Sequence, residues 1–222
     1  MTIIEAIQKR HSVRRYTEQS APGDVIAALR AGVSECNAES GLNIRLVTDD
    51  PDTFNGFLSK IGFSGAKNYI VLVGKEGIGL DEKAGYYGER LVLKAQQLGL
   101  NTCWSAMFNK KKFAAKIDDD EKIVIIISFG YGVTQGVPRK SKPLESLCKV
   151  SGDMPDWVRS GMEAAMLAPT ARNQQKFLFT LSGGTVKAES TGGSLSKIDL
   201  GIVKYHFEVG AGIDNFKWAD PV

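Results

Sequence analysis

The chain has 222 residues, of which 43% are hydrophobic and 24% charged, the proportions of an ordinary globular protein. This length suits one sizeable domain, or two half-size units that share a core. The formal net charge of +3 is too small for the broad basic surface of a nucleic-acid-binding protein, so we expect no nucleic-acid partner. No run of about 18 apolar residues occurs, so we expect neither a membrane-spanning segment nor a membrane partner.

Cysteine and histidine are too sparse for a disulfide framework or a metal centre. Cys36, Cys103 and Cys148 form no CxxC pair, which fits a reducing compartment. Because no signal-peptide core follows Met1 either, we predict a cytoplasmic protein. His206 falls in the middle of a predicted helix, where we expect a partly buried structural imidazole. No metal site is predicted.

Hydrophobic periodicity predicts alternating helices and short strands in the first half of the chain. A capping box of Thr2 and Glu5 begins the first helix, and a basic turn follows it. The further predicted elements are a helix at 22–36, a strand at 43–48, a helix beginning at Asp50, a strand at 69–73, a helix at 85–100, a strand at 101–104, a basic helix at 110–117 and a strand at 123–129.

The second half repeats this alternation. The predicted elements are a helix at 155–167, a loop at 168–175, strands at 176–181 and 185–190, a helix at 199–209 and a strand at 215–218. Segments 88–104 and 201–218 resemble each other as a weak internal repeat, for which duplication and chance similarity both remain open. We expect a single domain over 1–222, with half-units of approximately 1–150 and 151–222.

The densest group of reactive side chains is the basic turn Lys9-Arg10-His11-Ser12-Val13-Arg14-Arg15-Tyr16. A helix delivers these cations, an imidazole and a hydroxyl to one place, which suits an anionic group such as a phosphate. A solvated basic turn is the plain alternative. A second cationic segment is Arg139-Lys140-Ser141-Lys142-Pro143. Considered alone, it is predicted to be a surface loop; together with the basic turn, it could complete a phosphate-binding site.

Two further stretches favour a planar polar ligand. Asn173 and Gln175 lie in a loop restrained by Pro169, and their amides can match a heterocycle edge. The stretch Trp104-Ser105-Ala106-Met107 leaves a strand at the edge of the sheet, where backbone amides often face ligands. No nucleophile or general base stands out, which suits a cofactor that carries its own chemistry. FMN fits, with one phosphate, one pyrimidine edge and negative charge on reduction that Arg14 could offset.

At these residues the chain resembles the FMN-dependent nitroreductase family. Residues 10–14 match its R-x-S-x-[RK] motif, residues 98–104 match its LGLgtcW segment, and residues 140–143 approximate its K-S-[RK]-x-P pattern. Residues 168–175 resemble its APSaxNxQPW loop. In common members that loop follows the first long helix, so this chain is closest to a divergent branch with a rearranged order.

The resemblance implies an α+β nitroreductase-like fold, in which helices flank a central, mostly antiparallel sheet with a pseudo-two-fold of two half-units. It also implies a set of FMN contacts. Those of the phosphate motifs are Arg10, His11, Ser12, Arg139, Lys140 and Lys142. Those near the ring are Arg14, Trp104, Ser105, Ala106, Met107, Pro169, Thr170, Ala171 and Asn173.

The implied function is hydride transfer from NAD(P)H through flavin N5 to an electron-poor small molecule such as a nitroaromatic or a quinone. No side chain is expected to act as a catalytic acid or base, although Arg14 would stabilise reduced flavin. The alternatives are a different flavin reaction on the same scaffold, such as dehalogenation or dehydrogenation, and flavin binding without turnover.

Two departures from the family pattern bear on the site and on assembly. Met107 stands where the family often has glycine, and Lys176-Phe177 replaces the Pro-Trp that ends its loop. Ordinary members are homodimers in which the partner supplies this loop. Here the second half of the same chain contains it, which predicts a monomeric pseudo-dimer with one FMN per chain; a homodimer is the alternative.

Overall fold

The computed structural model describes residues 1–54, 62–109, 117–220 and 222. In this part of the chain the α-helices are α1 (Ile3–Lys9), α2 (Gly23–Ser40), α3 (Leu80–Gln97), α4 (Asp156–Met166) and α5 (Ser196–Ala211). The strands are β1 (Arg45–Val47), β2 (Asn68–Lys75), β3 (Asn101–Ser105), β4 (Glu121–Gly130), β5 (Cys148–Val150), β6 (Phe177–Ser182), β7 (Thr185–Ser190) and β8 (Lys217–Trp218).

Backbone contacts divide the chain into two compact units, each with its own sheet. The β1–β4 unit comprises residues 9–80 and 91–138. The β5–β8 unit comprises residues 1–8, 81–90 and 139–222. Helix α3 contributes residues to both units, so neither is a continuous stretch of sequence.

The sheet of the β1–β4 unit has the order β1-β2-β4-β3, and every neighbouring pair is antiparallel. Its two central strands are the apolar runs that the sequence predicted at 69–73 and 123–129. Residues Tyr69 to Val73 of β2 are fully buried, because a central strand covered on both faces has no solvated side. This sheet fixes the positions of the segments that lead into and out of it.

The sheet of the β5–β8 unit has the order β5-β6-β7-β8. Its β6–β7 pair is an antiparallel hairpin, whereas β5 and β8 each add to it in parallel. Helices α4 and α5 belong to the same unit, and Phe207 of α5 stacks on Phe179 of β6 with 4.8 Å between ring centroids. Aromatic packing therefore joins the helical layer to the sheet of this unit.

The α+β class is confirmed by these helices and sheets, while several element bounds differ from those predicted. Helix α3 begins at Leu80 rather than residue 85. Gly79 precedes it with φ 84°, and Asp81 and Glu82 occupy its first turn, where acidic side chains interact favourably with the helix dipole. Helix α2 continues past Cys36 to Ser40 and ends at Gly41, which adopts φ 69°.

Strand β5 was not predicted, since three residues give too short a pattern. The predicted helix after Asp50 shows a short 3-10 turn at Asp52–Phe54, and its remainder lies outside the described residues. Nearly all of the predicted basic helix at 110–117 also lies outside them. Within the described chain, no helix is long and apolar enough to cross a bilayer.

Candidate functional site

The basic turn is an extended segment of the β1–β4 unit, which we call the arginine segment (residues 10–16). Its backbone is bonded on both sides: Val13 N donates to Thr102 O at 3.0 Å, and Tyr16 N donates to Ser64 O at 2.9 Å. Val133 N donates to the carbonyl of Arg15 at 2.9 Å. The segment is thus held by β3, by the loop before β2 and by the loop after β4.

Glycines explain how the loop after β4 can lie so close to this segment. A Cβ at Gly136 would stand 2.6 Å from Cβ of His11, and one at Gly132 would stand 2.7 Å from Cγ1 of Val13. Gly136 also adopts φ 77°, which side chains disfavour. These two glycines let the loop close over residues 11–13.

Three residues of the arginine segment, spaced two positions apart, affect the pKa of one buried thiol. Burial raises the pKa of Cys103, while Arg14, Arg10 and a hydrogen bond with Ser12 act in the opposite direction. In an extended segment, alternate side chains share a face. Arg10, Ser12 and Arg14 therefore form one face of the segment, next to β3, and Val13 is buried with an exposure of 3%.

Tyr16 anchors the end of the arginine segment in the core. Its hydroxyl lies 2.8 Å from Oγ of Ser128 and donates to the carbonyl of the same residue at 3.2 Å. Burial raises the pKa of Tyr16 well above its ordinary value, so the phenol stays neutral and keeps its donor proton. This contact fixes the register of the segment against β4.

The exit of β3 also keeps a defined shape. Oγ of Ser105 donates to the carbonyl of Met107 at 2.7 Å, which closes a turn directly after the strand. Ala106 and Met107 are exposed, and Trp104 is half-buried. The hydroxyl of Ser105 is thus used internally, and the turn presents backbone and an exposed thioether to solvent.

The donor set of the β1–β4 unit suits an anion. Arg10 is only 2% exposed, and its guanidinium remains charged at every pH a folded protein meets. The arginine segment, the β4 exit at 130–136 and the β3 exit at 101–107 contain no aspartate or glutamate. Two guanidiniums and a hydroxyl on one face therefore match the chemistry of a phosphate ester.

The other predicted contacts lie in the β5–β8 unit, where two loops are bonded to each other. We call them the paired loops (139–143 and 168–176). Gln175, 3% exposed, is the residue that joins them: its Oε1 accepts from Lys142 N at 2.8 Å and its Nε2 donates to Lys140 O at 3.0 Å. Nδ2 of Asn173 donates to the same Lys140 carbonyl at 2.9 Å, and Nζ of Lys142 donates to Gln175 O at 3.0 Å.

The amides expected to meet a heterocycle are therefore engaged within the protein. Oδ1 of Asn173 accepts from Nε2 of Gln175 at 3.1 Å, which uses the other end of that amide as well. Arg139 donates to the carbonyl of Leu167 and Ser141 donates to that of Met166 at 3.1 Å. The two predicted segments lie together, but the hydrogen bonds of Asn173 and Gln175 are made within the paired loops.

A buried carboxylate outside the predicted site residues anchors the second loop. Asp199, in the first turn of α5, accepts from Ala171 N at 2.9 Å and from Nε2 of Gln174 at 2.7 Å. Burial raises the pKa of Asp199, against the opposing effect of these two hydrogen bonds. An acid at the start of a predicted helix was the available signal, but it identifies a cap and not a loop partner.

The structure thus gathers the predicted site residues into two groups. The group of the β1–β4 unit is Arg10, His11, Ser12, Arg14, Trp104, Ser105, Ala106 and Met107, and the group of the β5–β8 unit is Arg139, Lys140, Lys142, Pro169, Thr170, Ala171 and Asn173. Within the first group, the arginine segment lies against β3. Within the second, the two predicted motifs form the paired loops.

A family model and the solved structures both relate this chain to nitroreductases. The family model described as "Putative TM nitroreductase" matches residues 2–211. The structure of a "putative nitroreductase" from Thermotoga maritima is similar over 95% of this chain and 83% of its own, with 27% sequence identity and a TM-score of 0.67. A search of curated proteins gave no match.

More distant structures share the fold. A "putative nitroreductase" from Desulfovibrio desulfuricans, solved in complex with FMN, is similar over 70% of this chain and 98% of its own, with 18% identity and a TM-score of 0.50. A "Putative NADH dehydrogenase/NAD(P)H nitroreductase" from Parabacteroides distasonis covers 65% of this chain and 95% of its own, with 21% identity and a TM-score of 0.52. On its family match and its fold, this chain belongs to the nitroreductase family described as "Putative TM nitroreductase".

Proposed function

We propose that this protein is an FMN-dependent oxidoreductase that takes electrons from NADPH or NADH and passes them to an electron-poor small molecule, such as a nitroaromatic or a quinone. The observation that carries the proposal is the shared face of Arg10, Ser12 and Arg14 on a backbone bonded at both edges. Membership of a nitroreductase family and the FMN complex of a structural relative support the choice of cofactor.

The residues of the arginine segment have distinct proposed roles. Arg10 and Ser12 would hold the phosphate, since one contributes a buried charge and the other a hydroxyl donor. The exposed guanidinium of Arg14 would stand near the pyrimidine edge and offset the negative charge of the reduced cofactor. FMN, when bound, supplies the hydride acceptor and donor that the side chains lack.

The exit of β3 would orient the cofactor without reacting with it. The Ser105 hydroxyl holds the turn at Met107, so the backbone of Ser105 and Ala106 keeps one orientation. The roles of Arg139, Lys140, Lys142, Pro169, Thr170, Ala171 and Asn173 as FMN contacts stay predictions. Because Lys142 and Asn173 hold the paired loops together, substituting either would change loop structure as well as any ligand contact.

The first experiment records the visible spectrum of the purified protein and then adds NADPH or NADH without oxygen. We expect flavin bands that bleach and that return when a quinone or nitroaromatic is added. Flavin bands that neither nucleotide bleaches would replace the oxidoreductase with a flavin-binding protein. A colourless protein that does not take up added FMN would contradict the proposal altogether.

Substitutions on the arginine segment test the assignment of FMN contacts. Ser12→Ala and Arg14→Ala should each raise the Kd for FMN about tenfold or more, because each removes a hydrogen bond to a charged group. Arg15→Ala is the matched control, since it removes an exposed guanidinium from the opposite face of the same segment. If all three variants bind FMN as tightly as the wild type in a fluorescence titration, this face of the segment is not the FMN site.

A further inference from the structure

Helices α1 and α4 of the β5–β8 unit leave a groove between them that contains no predicted FMN contact. Residues 4, 7 and 8 of α1 line one side, and residues 160, 163 and 164 of α4 with the following Leu167 line the other. Side chains spaced three and four positions apart share one face of a helix. The end of α5 closes the groove at Gly210, and its volume of about 460 Å³ is that of a small-molecule site.

The floor of the groove is apolar and already formed. Ile7 and Ala164 are only 2% and 7% exposed. Gly210 brings α5 against α4, since a Cβ on it would stand 2.5 Å from Ser160 O and 2.7 Å from Cβ of Ala164. The fully buried His206 donates from Nδ1 to the carbonyl of Ala164 at 3.0 Å. A ligand would therefore meet a fixed surface that it does not have to order.

The rim of the groove combines apolar side chains with a single charge. Ile4 is 40% exposed and Leu167 is 36% exposed, so both leave apolar surface in water. Among the described residues that line the groove Glu163 alone is charged, and it forms no ion pair within the described ranges. The exposed side chains of Gln8 and Ser160 complete the rim. An apolar recess with one unpaired carboxylate is complementary to a cation that carries a hydrocarbon chain.

We propose that this groove binds small alkylammonium ions, with the ammonium at Glu163 and the hydrocarbon chain between Ile7 and Leu167. Each methylene that leaves water should raise the affinity about fourfold. The ion pair at the exposed rim should contribute only about two- to fivefold. Chain length therefore sets the affinity, and the carboxylate sets the preference for a cation. The proposal uses residues of one unit and does not depend on the cofactor.

The test titrates the whole chain with n-butylammonium, n-pentylammonium and n-hexylammonium chloride and follows the methyl signals of isoleucine and leucine by NMR. We expect the affinity to rise about fourfold with each added methylene. Hexanol, which has the same chain without the charge, should bind about two- to fivefold more weakly than hexylammonium. Hexanoate should bind more weakly still, because its carboxylate would face Glu163. Affinity that does not depend on chain length, or hexanoate that binds as tightly as hexylammonium, would overturn the proposal.

Two variants and a matched control locate the site. Glu163→Gln should make hexylammonium and hexanol bind equally and leave the dependence on chain length intact. Ile4→Ser should weaken all the ligands about fourfold or more, since it removes part of the apolar wall. Asp156→Asn removes an exposed acid of α4 outside the groove and should change neither property. Wild-type affinity for hexylammonium in Glu163→Gln would overturn the proposal, and thermal unfolding establishes that each variant is folded.

A second copy of this chain is the other possible occupant of the groove, and light scattering distinguishes it. A dimer that becomes a monomer in Leu167→Lys, together with a wild type that does not bind hexylammonium, would assign the groove to a subunit interface and overturn the proposal. A monomer that binds hexylammonium, with binding weakened in Ile4→Ser, would support it.

Discussion

Asp199 is the residue whose ionisation most directly affects the paired loops. It is 5% exposed, and both of its hydrogen-bond donors, Ala171 and Gln174, lie on the loop that carries Arg172. Burial raises the pKa of Asp199, so the folded protein holds this proton more tightly than the unfolded chain does. The contribution of Asp199 to the free energy of unfolding is therefore largest at low pH. It falls as the pH rises from 3.8, the ordinary pKa of aspartate, through the raised pKa of the folded protein, and does not change at higher pH.

We predict that Asp199→Asn lowers the free energy of unfolding by an amount that depends on pH. The variant keeps a neutral group at every pH but offers one acceptor to two donors, so it should lose about 1–3 kcal/mol of stability. The loss relative to wild type should be larger near pH 4 than at pH 7, because only the wild type gains stability on protonation. Urea unfolding at several pH values measures this, with Asp153→Asn, an exposed acid, as control. A stability difference between wild type and Asp199→Asn that increases with pH would contradict the raised pKa of Asp199.

At the scale of elements, α5 is fixed by contacts of backbone with backbone on two faces. A Cβ at Gly201 would stand 1.9 Å from the carbonyl oxygen of Glu82 in α3, and one at Gly85 would stand 2.1 Å from that of Ile198 in α5. On the other face, a Cβ at Gly210 would stand 2.5 Å from Ser160 O in α4. Helices approach this closely only where one of them lacks side chains.

Gly201→Ala should therefore destabilise the protein, although alanine is the better helix former by about 1 kcal/mol. The added methyl has no flexible neighbour to displace, so we expect a net loss of about 3 kcal/mol in the free energy of unfolding. Gly23→Ala is the matched control, because it changes the first residue of α2, where nothing lies within 4 Å. Equal stability of both variants in urea would show that α3 and α5 do not meet at these glycines.

The elements that local pattern alone determines were predictable. Runs of β-branched residues predicted β2 and β4, because both faces are buried over 68–74 of β2 and over 125–130 of β4. The Thr2–Glu5 capping box is present as predicted, with Thr2 N donating to the Glu5 carboxylate at 2.7 Å and Glu5 N donating to Oγ1 of Thr2 at 3.2 Å. Each of these signals involves residues within a few positions of each other in the sequence.

Contacts between distant residues could not be predicted in this way. His206 was expected to be a partly buried structural imidazole, but it is fully buried, with Nδ1 3.0 Å from Ala164 O and Nε2 2.8 Å from the Glu89 carboxylate. Glu89 stands 117 positions away, and no periodicity indicates such a pair. The same holds for the site: the motifs identified Asn173 and Lys142, but not Gln175 as the residue that joins their loops.

For the whole molecule, the chain carries both the arginine segment and the loop that resembles the family's partner-supplied loop. We therefore predict that the FMN-loaded protein is a monomer of about 24.1 kDa with one FMN per chain. Light scattering gives the mass, and absorbance of flavin released by denaturation gives the stoichiometry. A particle of twice that mass, stable to dilution, would favour the homodimer of ordinary family members.

The discontinuous division of the chain also sets an order of folding during synthesis. The β1–β4 unit has all of its residues once position 138 has been made, whereas residues 1–8 and 81–90 belong to a unit that also needs 139–222. Helix α1 can therefore pack only after the C-terminal third of the chain has been made. Until then Ile7, which is only 2% exposed in the folded protein, lacks its final contacts. Such late, long-range closure slows folding and leaves apolar surface open to aggregation. A nascent chain stalled after β4 should thus present one folded unit and an α1 that is still accessible to protease.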